Sequence, residues 1–203
     1  MYPLQVEVNE NNILKITSTF RAAYKDIIYE IMDATDFGVA NRRAILNQIE
    51  DILTELGQES EDFLEKELTA YYKTGANDAI KQLKNVDAEI NVATGFNRIH
   101  KEAIYALVDD ASRAFGESLT GVGRSANNLL GKAVREAITQ RMAKGFIGGE
   151  AMAEVKTSIK GLLEEQGLAA LIDRGGKAWD LDTYAEMLFR TKAVEARNRG
   201  LAN

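Results

Sequence analysis

Proline occurs once in this 203-residue chain, at position 3. From Leu4 onward nothing removes a helical N–H or forces a ring against the preceding turn. A chain free of that interruption, with apolar residues recurring at three and four, is bound to be mainly helical. It is also foldable: 45% of residues are hydrophobic and 28% charged, and the mean hydropathy is −0.25. No apolar run reaches the ~18 residues that a membrane span needs, so no membrane requirement is evident. The first residues, Met1-Tyr2-Pro3-Leu4, lack the basic and apolar regions of a secretory signal.

The apolar stripes lay out the helices. Phe20, Tyr24, Ile27, Ile28 and Ile31 share one face of a helix over roughly 14–34. Asp36-Phe37-Gly38 breaks it, and Asn41 is positioned to cap the next helix. Ile45, Ile49, Ile52 and Leu56 begin a second stripe, which resumes after Gly57 at Leu64, Leu68, Tyr71 and Tyr72 and runs on through Ala76, Ile80 and Leu83. A lone Gly costs only about 1 kcal/mol against Ala. One long bent helix is therefore preferred to two helices with Ser60 as a cap.

Residues 85–96 are poor helix material and mark a boundary or hinge. A third helix carries Ile99, Ala103, Ile104, Leu107, Val108, Ala111 and Phe115. Gly121-Val122-Gly123 reads as a hinge or loop, and Ser125 as the cap of a fourth helix with Leu129, Leu130, Val134, Ala137, Ile138 and Met142 inward. Gly145–Gly149 ends it. A fifth helix over about 150–166 buries Met152, Val155, Ile159, Leu162 and Leu163 and stops at Gly167.

Two glycines, Gly175-Gly176, then sit between short apolar runs, as in a type I′ hairpin over about 169–180. If Arg174 faces Lys177, Ile172 faces Trp179. Asp180 caps the last helix, Trp179 and Tyr184 staple it, and its inner face is Tyr184, Met187, Leu188, Thr191 and Val194. The expected fold is all-α in the main: an elongated bundle of long amphipathic helices with one short C-terminal β-hairpin. Residues 1–145 form its elongated helical region, and 146–203 a C-terminal helix–hairpin–helix module. Helix should exceed about 60% of the chain, against a base rate of about one-third.

Little here reads as chemistry. The absence of Cys excludes disulfides and thiol chemistry, and a single His, His100, leaves no multi-His metal site or His-dependent triad. His100 reads as a packing or surface residue. Asp109-Asp110, Glu164-Glu165 and Asp180/Asp182 are carboxylate pairs, but helix neighbours do not face one another. The inner faces are almost purely apolar, which speaks against a helical active site. No catalytic, cofactor-binding or metal-ligating residue is expected, and no cofactor.

Charge is uneven. Residues 1–90 hold 9 basic and 17 acidic residues, and 91–203 hold 16 and 14, within a net charge of −6. Tight non-specific DNA binding is disfavoured. Lys132 and Arg135 form the nearest thing to a basic strip. Arg174 and Lys177 flank the glycine turn as candidate anion or partner contacts.

The last 60 residues or so carry a motif. Trp179, Leu181, Tyr184, Ala185, Glu186, Met187, Arg190 and Thr191 follow a basic glycine-rich turn in the pattern W-x-L-x-x-Y-A-E-M with R-T after it. This resembles the phage minor capsid, portal-associated head morphogenesis proteins. The resemblance implies a structural virion component of few copies, without catalytic residues in this region. Its partners would be the portal protein or other capsid proteins, with weak contact to packaged DNA. It would be located in the virion, and in host cytoplasm during assembly. Release alongside the DNA is a further implication. Trp179, Tyr184, Met187, Arg190 and Thr191 become the docking candidates. In longer members further residues follow the R-T helix, in some of them with His/Cys-bearing or effector domains. Here the sequence stops at Asn203, which leaves effector activity without support. The alternative from a different class is the helical delivery or adaptor region of a bacterial secreted effector.

Overall fold

The structure, a computed structural model, describes residues 8–86, 98–144, 151–168, 171–172 and 178–202. Five helices dominate it: α1 (Glu10–Asp33), α2 (Val39–Val86), α3 (Arg98–Lys144), α4 (Ala151–Gln166) and α5 (Leu181–Ala202). Their lengths of 24, 48, 47, 16 and 22 residues take helix well past the three-fifths expected.

Local chemistry sets the boundaries. Asn9 starts α1 four residues earlier than the apolar stripe suggests. Its side-chain oxygen accepts from the Asn11 amide at 2.9 Å and its carbonyl from Asn12 at 3.0 Å. The α1–α2 break falls where Asp36-Phe37-Gly38 predicts, but Asn41 is not the cap. The Gly38 carbonyl accepts the first helical bond from Arg42 (2.9 Å), while Asp36 accepts from the Gly38 amide (2.8 Å) and the Asn41 side chain (2.7 Å). Asp36 organises the turn before the helix begins, so Asn41 already lies inside it. Gly167 ends the α4 segment as expected, with φ +59° and its amide donating to Leu163 O at 3.0 Å.

α2 is the single long helix preferred from sequence, and Ser60 lies buried in its interior. α3 corrects a reading. Gly121-Val122-Gly123 is neither hinge nor loop and Ser125 caps nothing, because the helix runs through all four. Val122 is fully buried, with Leu119 and Ala126 buried around it, and that packing outweighs the propensity cost of two glycines. The boundary at 85–96 and the glycine run at 145–149 fall largely outside the described residues.

The expected C-terminal β-hairpin is not supported as an element of the fold. The described residues make only a two-residue antiparallel pairing of β1 (Leu171–Ile172) with β2 (Ala178–Trp179). Its register couples Leu171 to Trp179 and Ile172 to Ala178, so the expected Ile172–Trp179 partnership is one residue out. Residues 173–177, which would form the type I′ turn, are outside the description. A ribbon this short adds almost nothing by itself.

The chain forms two compact units, each drawn from segments distant in sequence. Unit 1 is Met1–Ser18, Gly57–Gly116 and Ala185–Asn203; unit 2 is Thr19–Leu56 and Glu117–Tyr184. The core of unit 1 holds Ile13, Ile16, Leu64, Leu68, Tyr72, Leu107, Phe115 and Phe189. Phe189 sits against two aromatic rings, Phe63 at 5.2 Å and Tyr71 at 6.2 Å between centroids. The core of unit 2 holds Phe20, Ile27, Ile31, Ile49, Leu130, Ile159 and Leu168.

Candidate docking surface

In unit 1, α5 presents two unlike sides. Its buried positions are Ala185, Leu188, Phe189, Ala193, Ala196 and Gly200. Met187 is 41% exposed and Thr191 is exposed, so the inner face expected from large apolar residues is rotated. Small residues win the interior because the helices come very close. A Cβ on Gly200 would lie 2.0 Å from the Tyr72 carbonyl oxygen, and one on Gly75 2.0 Å from that of Arg197. Backbone meets backbone at that crossing, and a bulky inner face does not fit.

The polar groups of α5 are spent on its neighbours in unit 1. Arg190 donates from both terminal nitrogens to the two Glu10 carboxylate oxygens, each at 3.1 Å, and from Nε to Glu186 at 2.9 Å. Hydrogen bonds from Glu10 first, then Glu186, hold the Arg190 guanidinium above its usual pKa. Lys192 bridges Asp110 of α3 and Glu195, the latter at 2.9 Å. Burial pulls the Lys192 ammonium down, but hydrogen bonds to Asp110 and Glu195 outweigh it and raise its pKa. The same Lys192 bond, with Arg113, holds Asp110 below the usual carboxylate range. Arg197 reaches Asp78 of α2 at 2.8 Å. Arg190 is therefore a helix clamp, and Thr191 donates its hydroxyl to the Met187 carbonyl at 2.9 Å.

Near the start of α1, an open recess of about 450 Å³ is lined by Val8, Asn9, Glu10, Asn12, Glu67, Ala70, Tyr71 and Thr74. Its two carboxylates are both engaged, Glu10 by Arg190 and Glu67 by the Asn12 amide at 2.6 Å. They form no free acid–base pair. His100 places Nδ1 2.9 Å from the Tyr72 hydroxyl, ring against ring. Among the described residues no cluster of three or more His, Asp or Glu could hold a metal ion.

In unit 2, the start of α5 follows the expected cap: the Tyr184 amide donates to the Asp180 carbonyl at 2.9 Å. Burial first, and the Glu117 carboxylate second, push the half-buried Tyr184 phenol up. Leu181 is buried, and Asp182 accepts from Arg21 at 2.8 Å. A smaller recess of about 320 Å³ lies among Arg21, Tyr24, Asp180, Leu181 and Asp182. Lys132 and Arg135 are both exposed on α3, but Lys132 lies 3.9 Å from Glu136, which also accepts from Ser158 at 2.6 Å. Arg174, Lys177 and the side chain of Trp179 lie outside what is described, and with them the Trp179 staple.

Nothing in the sequence marks Gly75, Gly200 or Asp78, and Asp110 stands out there only as half of a carboxylate pair and not as the partner of Lys192. The spacing Ala185, Phe189, Ala193, Ala196, Gly200 is a helical stripe of the right period, hidden because small residues score weakly as apolar. Among the described residues no helix is long and apolar enough to cross a membrane.

Fold and surface together define a helical protein whose C-terminal helix packs small residues into one compact unit and leaves Met187 and Thr191 outward. The chain belongs to the phage minor capsid protein 2 family, whose profile matches residues 35–203. The kinship thus reaches well beyond the last 60 residues in which the motif is legible. No curated protein and no solved structure matches the chain.

Proposed function

We propose that this chain is a non-enzymatic, structural minor capsid protein that docks at the portal during head assembly, with 146–203 as the docking module. Membership of a phage minor capsid family supports the virion role. The observation that carries the docking assignment is the split within the motif. Ala185 is buried, and Glu186 and Arg190 are tied to each other, while Met187 and Thr191 face solvent. An exposed Met offers a flexible, polarizable contact suited to a protein partner. In this reading Arg174 and Lys177 add basic contacts to an acidic portal surface, and Lys132 and Arg135 touch packaged DNA weakly. The chain is in host cytoplasm before assembly and leaves the particle with the DNA.

The test is to purify particles carrying Met187→Glu or Thr191→Glu and quantify this protein per particle. Incorporation is expected to fall at least several-fold, with unchanged circular dichroism of the free protein. Wild-type incorporation of both variants would move the docking surface elsewhere. Particles carrying His100→Gln should contain and use the protein normally; failure of a folded His100→Gln protein would reopen an enzymatic role.

A further inference from the structure

We propose that residues 185–202 of α5 are a separable strap on unit 1, held by ion pairs that salt can screen and able to lift while α2 and α3 stay folded. This rests on packing alone and stands whether or not the portal reading holds.

Two observations carry it. The first is what the strap buries. Four of its six buried positions are Ala or Gly, with Leu188 and Phe189 the only large side chains among them. The facing stretch of α2 buries Phe63, Leu64, Leu68 and Tyr72. Apolar stabilisation scales with area removed from water, so the strap adds far less per turn than the helices beneath it. Its close fit at Gly75 and Gly200 makes the docked position specific without adding much area.

The second is how the strap is tied. Each of the other three helices of unit 1 holds it by one cation of α5: α1 through Glu10–Arg190, α2 through Asp78–Arg197 and α3 through Asp110–Lys192. None of these pairs is sealed from solvent. The side chains are 40% and 69% exposed in the first, 23% and 26% in the second, and 13% and 42% in the third. Pairs open to water weaken as ionic strength rises, and three of them together are worth a factor of about ten. Elements of low apolar content open locally before the global transition. Lifting the strap would bare Phe63, Tyr71 and the Gly75 crossing on α2.

Hydrogen exchange on the intact chain tests this, comparing amides of 185–202 with those of 57–72 and 98–116 at 50 and 500 mM NaCl. The expected result is exchange about tenfold faster in 185–202 at the higher salt, with the α2 and α3 segments unchanged. A Lys192→Gln/Arg197→Gln chain should exchange fast in 185–202 at both salts. Gly200→Ala lifts the strap by steric clash and leaves every charge in place; there too 57–72 and 98–116 should keep their protection. The proposal is overturned if 185–202 exchange only as fast as the α2 and α3 segments at both salts. It is equally overturned if either variant strips protection from all three segments, since α5 would then be integral to the unit.

Discussion

Gly75 and Gly200 hold positions that no other residue can occupy without moving a helix. An added methyl on Gly75 would meet the Arg197 carbonyl oxygen at 2.0 Å, and the obstacle is backbone, which cannot rotate away. Gly75→Ala should therefore destabilise unit 1 by roughly 1–3 kcal/mol, as overpacking does, despite the better helix propensity of Ala. Urea unfolding measures it; a gain in stability would refute the close approach. Asp110 gives a pH prediction at the same scale. Its pKa is depressed by Lys192 and Arg113, so the folded state holds fewer protons than the unfolded state in that range. The stability it adds is present above the ordinary Asp value of about 3.9 and is lost as pH falls through the depressed folded value. Asp110→Asn should flatten the acid limb of the stability–pH curve and leave the neutral-to-basic limb unchanged in slope.

The helices themselves were legible because large apolar residues advertise a period. Phe20, Ile27 and Ile31 are fully or almost fully buried in α1, as are Leu64, Leu68 and Tyr72 in α2. The stripes fail at their ends. Ile99 at the start of α3 is 61% exposed and Leu83 near the end of α2 is 46% exposed, because a period says which face is apolar and not how far a partner extends along it. Glycine misleads in both directions. At 121 and 123 its low propensity predicts a break and it lies in a continuous helix, while at 75 and 200 nothing in the sequence singles it out and it sets a helix crossing. Only the packed neighbour distinguishes the two cases. A Cβ on Gly116 would meet nothing within 4 Å, and one on Gly123 only the Leu53 side chain at 3.5 Å. Gly116→Ala and Gly123→Ala should each stabilise the protein by about 0.5–1 kcal/mol. Loss of stability at Gly116 would mean that α3 bends there for a reason its surroundings do not reveal.

On the scale of the whole molecule, the sequence could not disclose the two compact units, since each gathers stretches tens of residues apart and periodicity is a local signal. Charge, in contrast, is a whole-chain property and was fully legible. A net charge of −6, concentrated in the acidic first half, opposes approach to a polyanion. The basic groups on the other side of the balance are partly spent: Lys132 faces Glu136, and Arg190, Lys192 and Arg197 are bound to carboxylates. Duplex DNA binding should therefore be weak and involve few phosphates. Each neutralised phosphate contributes about −0.9 to the slope of log affinity against log salt. With Arg135 and at most one or two companions engaged, the slope should be no steeper than about −3. Retention on DNA should accordingly be negligible at about 150 mM salt, and Arg135→Glu should abolish what remains at low salt while leaving particle incorporation intact. A slope steeper than this, measured by salt titration on a fluorescent duplex, would show a basic surface larger than the described residues supply.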